Sequence, residues 1–269
     1  LYWSLMAAVP LLQLLAHRVA WCAVAVWLYL LCKGDGAWWR SLSRPVVIRL
    51  MASSVLISVN WGIYVWAIQS GHALEAALGY YINPLFSVFL GAVLLKERLS
   101  LAQKAAIALA AVAVAVLTIE AGRLPWAALG LTVTWGFYAY LKKSLPIGPN
   151  QGFLLEVLIL LVPALGYVGW LTATGTGHFM MGVTRDTTLL ASCGLVTAVP
   201  LMVYANGAKL LKLSTIGIMQ YISPTMIFLV AVFLFGEPFG TARMIAFPII
   251  WVALAIYTFA LFRQSRARG

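Results

Sequence analysis

Nine runs of about 20 apolar residues, each closed by a short polar break, leave this chain few folds to choose from. They fall near 13–32, 46–69, 73–95, 103–119, 124–141, 150–172, 188–207, 215–235 and 241–262, with breaks such as Lys33-Gly34-Asp35-Gly36, Ser70-Gly71-His72 and Lys96-Glu97-Arg98. About 20 apolar residues in a helix cross the hydrocarbon core. No water is available there, so each run must satisfy its own peptide groups. Barrel strands would show alternating segments of roughly 10 residues, whereas these are twice as long and apolar throughout. Residues 1–9 read as the tail of a further helix. Composition agrees, with 63% hydrophobic and only 9% charged residues, against about 25% charged in soluble domains. The chain is an all-α integral membrane protein.

The net charge of +11 does not point to nucleic acid, because the 18 Lys and Arg sit in short clusters between the apolar runs. Nucleic-acid binders gather cations on one face; loop clusters report topology instead. If residues 1–9 end a helix leaving the cytoplasm, only Arg18, Arg123, Arg185 and Arg243 fall outside and the other fourteen cations fall inside. Adding or removing one span would scramble this split. The expectation is ten helices with both termini cytoplasmic.

Offsetting the chain by 140 residues lays Gly79-Tyr80-Tyr81-Ile82-Asn83-Pro84 on Met219-Gln220-Tyr221-Ile222-Ser223-Pro224, and Glu97 on Glu237. Six identities in 38 positions (60–97 on 200–237) is a weak score, but both prolines fall close to mid-span and both glutamates end their spans. An odd number of spans per unit inverts the second copy, as in many secondary transporters. The expected repeats are 1–121 and 122–269. At the same offset the partner of Trp135-Gly136 lies before Leu1, so the first helix reads as truncated at its N-terminus.

A mid-helix proline removes a backbone hydrogen bond, and the freed carbonyl needs protein or cavity water. Pro84 and Pro224 with Tyr80, Tyr81, Asn83, Gln220, Tyr221 and Ser223 are therefore candidate cavity-lining residues, though such polar groups also join helices. Asn60, Trp61, Tyr64 and Tyr204 could line the same space or pack as ordinary aromatics. Ionisable groups within spans are functional candidates: Glu75, Glu156, His17 and Arg18 are candidate coupling or ion-pair groups, and Glu75 a cavity residue as well. Dipole stabilisation at a helix start is the plainer account of Glu75 and Glu156. Glu97 and Glu237 read as interfacial ion pairs or caps. Catalytic motifs are absent, no metal-ligand spacing links His17, His72 and His178, and the three cysteines read as buried hydrophobes. No catalytic residue, metal or cofactor is expected.

The stretches His17-Arg18-Val19, Asn60-Trp61, Leu74-Glu75-Ala76 through Pro84, Lys96-Glu97-Arg98, Leu213-Ser214-Thr215, Gln220 through Thr225 and Gly236-Glu237 resemble the RarD branch of the EamA group in the drug/metabolite transporter superfamily. The resemblance covers nearly the whole chain and is most specific from Glu75 to Pro84. It implies ten transmembrane helices as two inverted five-helix EamA repeats in the bacterial inner membrane, less the Trp-Gly of the first half-helix. The expected function is a secondary transporter (a permease) exporting a small organic metabolite or drug by alternating access. A passive facilitator or channel is the first alternative, and a receptor or membrane-embedded enzyme the second. The expected partners are the solute and the lipid bilayer, with a homodimer left open.

Overall fold

The computed structural model describes residues 2–33, 42–94, 96, 99–143, 145–180, 184–207 and 221–266. Among these are nine α-helices and no strand: α1 (Leu11–Lys33), α2 (Arg44–Gln69), α3 (Ala73–Leu94), α4 (Leu101–Ala121), α5 (Trp126–Lys143), α6 (Pro149–Thr174), α7 (Thr184–Gly207), α8 (Ile222–Leu229) and α9 (Thr241–Arg266). A 3-10 turn, Ser4–Met6, precedes α1, and a π-helical turn, Val230–Leu234, continues α8. Seven helices (α1–α4, α6, α7 and α9) are long and apolar enough to cross a membrane.

Local chemistry sets the ends. Ser100 accepts from the Gln103 backbone N–H while Gln103 reaches back, a capping box that starts α4. Gly122 (φ 62°) and Gly175 (φ 68°) close α4 and α6 in the left-handed conformation that glycine adopts without strain. Most helices lie within a few residues of the apolar runs. The run at 215–235 differs: its described part begins at Tyr221, so Pro224 stands in the first turn of α8 rather than mid-helix. There its missing N–H costs the helix no internal bond. Pro84 does fall in the interior of its helix, and α3 runs on through it.

Many large apolar side chains are exposed, and several polar ones are buried. Ile119 is 81% exposed while the Glu156 carboxylate is fully buried, the reverse of a soluble domain. This is a multi-pass membrane protein.

The chain divides into two compact units, each drawing on both halves of the sequence: Leu1–Val65 with Leu141–Leu210, and Trp66–Tyr140 with Leu211–Gly269. In the first unit α1 packs along α6 and α7. A Cβ on Gly194 of α7 would coincide with the backbone of Trp21 and Cys22 on α1, so this glycine sets the approach of the two helices. Val46 and Leu50 of α2 pack with Leu145 in a core bordered by Leu155 and Ile159. Ahead of α1, Trp3, Met6 and Val9 are buried, and the Tyr2 hydroxyl meets the Leu189 carbonyl and Ser192 on α7.

Overpacking a tight site costs about 1–3 kcal/mol. Gly194→Leu, which must push backbone rather than a side-chain tip, is expected at the top of that range. Thermal unfolding of the detergent-solubilised protein checks it, and an unchanged midpoint would remove Gly194 from this role.

In the second unit α4 lies along α9. Its buried Ala106, Ala110, Ala113 and Leu117 recur three and four apart, placing small side chains on one face. Helix α3 packs on α4, α8 and α9, beside an aromatic cluster of Tyr81, Phe228, Phe239, Phe247 and Trp251. Gly79 lets α3 approach α5, since a Cβ there would meet the Ala128 carbonyl at 2.7 Å. Thr132 Oγ1 fixes the contact by donating to the Gly79 carbonyl at 3.0 Å.

Candidate functional site

The two motif helices pack against one another within the second unit. Tyr81 on α3 is 3% exposed, and its hydroxyl is 2.7 Å from Thr225 Oγ1 on α8. Thr225 Oγ1 also lies 2.7 Å from the Tyr221 carbonyl. Pro84 removes the N–H that would bond the Tyr80 carbonyl, opening the α3 backbone one turn earlier. Between them in sequence, Asn83 is buried and its Oδ1 has no hydrogen-bond partner among the described residues. The amide carbonyl, the proline and the bridged hydroxyl thus fall within four residues of α3, Tyr81 and Asn83 on different sides of the helix. Of the other residues expected here, Tyr80 and Tyr221 are half-buried, Pro224 is buried and Ser223 is exposed. Gln220, Glu97 and the side chain of Tyr204 lie outside the described residues.

The ionisable candidates separate. Glu75, in the first turn of α3, pairs through Oε1 with Arg123 Nη2 at 3.2 Å, and its Oε2 is buried without a partner. Near it, Glu237 caps α3: its two carboxylate oxygens accept the backbone N–H groups of Ala73 and Leu74 at 2.6 and 3.0 Å. Glu120 Oε2 likewise accepts the Ala242 N–H at 2.9 Å at the start of α9. Negative groups at helix starts are favoured, and these carboxylates reach helices far from their own in sequence.

In the first unit Arg18 on α1 is buried between two indoles. Its guanidinium carbon lies 4.7 Å from the Trp3 ring centroid and 4.1 Å from that of Trp61, a double cation–π contact. Trp61 in turn meets Phe153 edge-on at 6.2 Å. Asn60 is buried beside Trp61 in the sequence of α2, and Tyr64 one turn on is half-buried. His17 is buried against Phe179 at 4.7 Å; the same loop holds His178 Nδ1 3.0 Å from Asp186 Oδ2.

Glu156, fully buried on α6, accepts from Ser53 Oγ at 2.7 Å and pairs with Lys142 Nζ at 3.2 Å. A Cβ on Gly152 would lie 2.8 Å from that Nζ, so the glycine leaves the lysine its path. The plain helix-start account therefore does not suffice for Glu156 or Glu75, because each has a cation.

Sequence reasoning did not find Ser53, Arg123, Lys142 or Trp3 as partners. Thr225 was legible, as the residue after the second motif proline. Among the described residues, no three His, Cys, Asp or Glu side chains gather into a metal site.

A family model described as the EamA-like transporter family matches residues 3–119. The chain is 39% identical to an uncharacterized transporter of Pseudomonas aeruginosa, over 99% of this chain and 90% of that protein. It is 40% identical to Protein RarD of Streptomyces exfoliatus (99% and 85%) and 38% identical to Protein RarD of Escherichia coli K12 (98% and 90%). A crystal structure with 22% identity matches at a TM-score of 0.60, covering 96% of this chain and 94% of its own, so the fold is shared. The aligned length, the RarD relatives and the apolar helices together make this chain a membrane transporter of the EamA-like family, in its RarD branch.

Proposed function

We propose that the chain is a secondary transporter that exports a small amphipathic organic solute from bacteria by alternating access. In this reading it lies in the inner membrane with its C-terminus cytoplasmic, and the inverted repeats 1–121 and 122–269 supply the two access states. The observation that carries the reading is the meeting of the two motif copies: Tyr81 and Thr225 share a hydrogen bond, and Asn83, two residues on in α3, keeps a buried side-chain carbonyl without a partner among the described residues. A binding group needs an unmet valence that the scaffold holds in place, and the Asn83 side-chain carbonyl is such a group. A hydroxyl pair bridging two helices is also a contact that can open and re-form.

The test is counterflow. Full-length protein is reconstituted in liposomes loaded with unlabelled candidate solutes, and labelled solute is added outside. Transient accumulation above equilibrium, saturable in solute, is expected. Uptake that neither saturates nor shows an overshoot would replace this reading with a passive facilitator.

A further inference from the structure

Glu156 stands on α6 in the first unit with no exposed surface, and side chains from two other helices close on it. Lys142 Nζ, at the end of α5, pairs with its Oε1 at 3.2 Å, and Ser53 Oγ of α2 lies 2.7 Å from the same oxygen. We propose that this carboxylate is a proton-exchange site: it takes a proton from solution when Lys142 swings outward, and releases it when the lysine returns.

The serine serves both states without moving. A hydroxyl has one hydrogen to donate and two lone pairs to accept with. Facing the carboxylate, Ser53 donates to Oε1. Facing the acid, it accepts the Glu156 O–H and turns its own hydrogen to the Leu50 carbonyl, already 3.0 Å away.

The lysine has a way out. Its side chain is 20% exposed while its Nζ is buried at the pair, and a long stem can carry its charge to water by bond rotation. Gly152 puts no side chain in the way of Nζ. The space that Nζ vacates lies against Oε1 and leads along the exposed stem. An ion pair and a neutral acid have the same net charge, zero, whereas a bare buried carboxylate is costly. Lys142 therefore leaves with its own proton, Glu156 gains one from water, and no bond between heavy atoms changes. A proton needs neither room nor a shell of ligands, which suits a site without open surface.

Other charges on the helices around α6 stand elsewhere. On α1, Arg18 lies between Trp3 and Trp61, His17 packs on Phe179, and Lys33 is exposed at the helix end. On α7, Asp186 meets His178 and Arg185 reaches the Leu5 carbonyl. On α2, Arg44 and Arg49 are exposed. Lys142 is the cation in contact with the carboxylate. Use of the exchange to drive solute rests on the transport reading above; the exchange itself does not.

The experiment is infrared spectroscopy of the full-length protein in lipid, with the proton itself as titrant. A protonated carboxyl gives a C=O band that a carboxylate lacks. On acidification the wild type should gain such a band, and Glu156→Gln should lack that part of it. At neutral pH Lys142→Met should show the Glu156 band several-fold stronger than wild type, because the counter-ion is gone. Gly152→Ala should strengthen it at least twofold, since the added Cβ would lie 2.8 Å from Nζ and crowd the lysine outward with both charges kept. Should Glu156→Gln or Lys142→Met not fold, Lys142→Met/Glu156→Leu is the blank and Gly152→Ala the test.

A purely structural pair keeps its carboxylate ionised until the protein unfolds. No Glu156-dependent band in the folded wild type, or no gain in Gly152→Ala, would each overturn the proposal. A titrating Glu156 band without counterflow would remove the transport reading and leave this one. Counterflow without that band would do the reverse.

Discussion

Asn83→Leu should lower solute counterflow at least tenfold while the protein unfolds at the same temperature or slightly higher. The two readouts move in opposite directions because of where the Asn83 carbonyl stands. It is buried and has no hydrogen-bond partner among the described residues, so the folded state bears a desolvation cost that leucine, of similar size, relieves. Removing such a group changes stability by about 1 kcal/mol in the favourable direction. A polar residue that glues helices together behaves differently, since its loss removes an interhelical bond and stability falls. Counterflow read beside thermal unfolding separates the cases. Lost flux with retained stability assigns Asn83 to the solute; unchanged flux, or flux and stability lost together, would return it to packing.

The same distinction explains what the sequence could reveal. Helix positions follow from local quantities: run length, a Ser100–Gln103 capping pair and a glycine able to take positive φ at 122 or 175. These act within a few residues, so reading along the chain recovers α1 to α7 and α9 closely. Pro224 shows the limit, because a proline's effect depends on where its helix starts, and the described helix starts two residues before it.

The candidate site was legible in kind but not in partnership. Glu237 reads as a cap from its place at the end of a span, yet the helix it caps begins at Ala73, 164 residues away. Glu75 and Glu156 stand out as carboxylates in apolar helices, but their cations, Arg123 and Lys142, lie at the edges of other helices where loop residues are expected. Arg18 sits in an apolar run, and only the fold brings the Trp3 and Trp61 rings to its two sides. Burial cost is written in residue type; which group offsets it depends on long-range packing that no spacing encodes.

The Glu156–Lys142 pair gives the sharpest test of that account, because its partners are buried unequally. Glu156 is 0% exposed and held by Ser53 as well, whereas the Lys142 side chain is 20% exposed along its stem, with only its Nζ buried at the pair. Removing one member of a buried pair costs about 3–5 kcal/mol, since the survivor is left uncompensated. Lys142→Met leaves the fully buried carboxylate and should cost about 3 kcal/mol, or roughly 8 °C in unfolding midpoint for a chain of this size. Glu156→Leu leaves a lysine whose long stem can carry its charge outward, so its cost should be the smaller by at least half. The double variant Lys142→Met/Glu156→Leu removes both charges and should recover to within about 1 kcal/mol of wild type, as apolar replacements of buried pairs often do. Unfolding midpoints of the four proteins in one detergent close the cycle. If the two single variants lose equal stability and the double loses their sum, the charges do not interact, and the buried glutamate is held by groups other than Lys142, Ser53 among them.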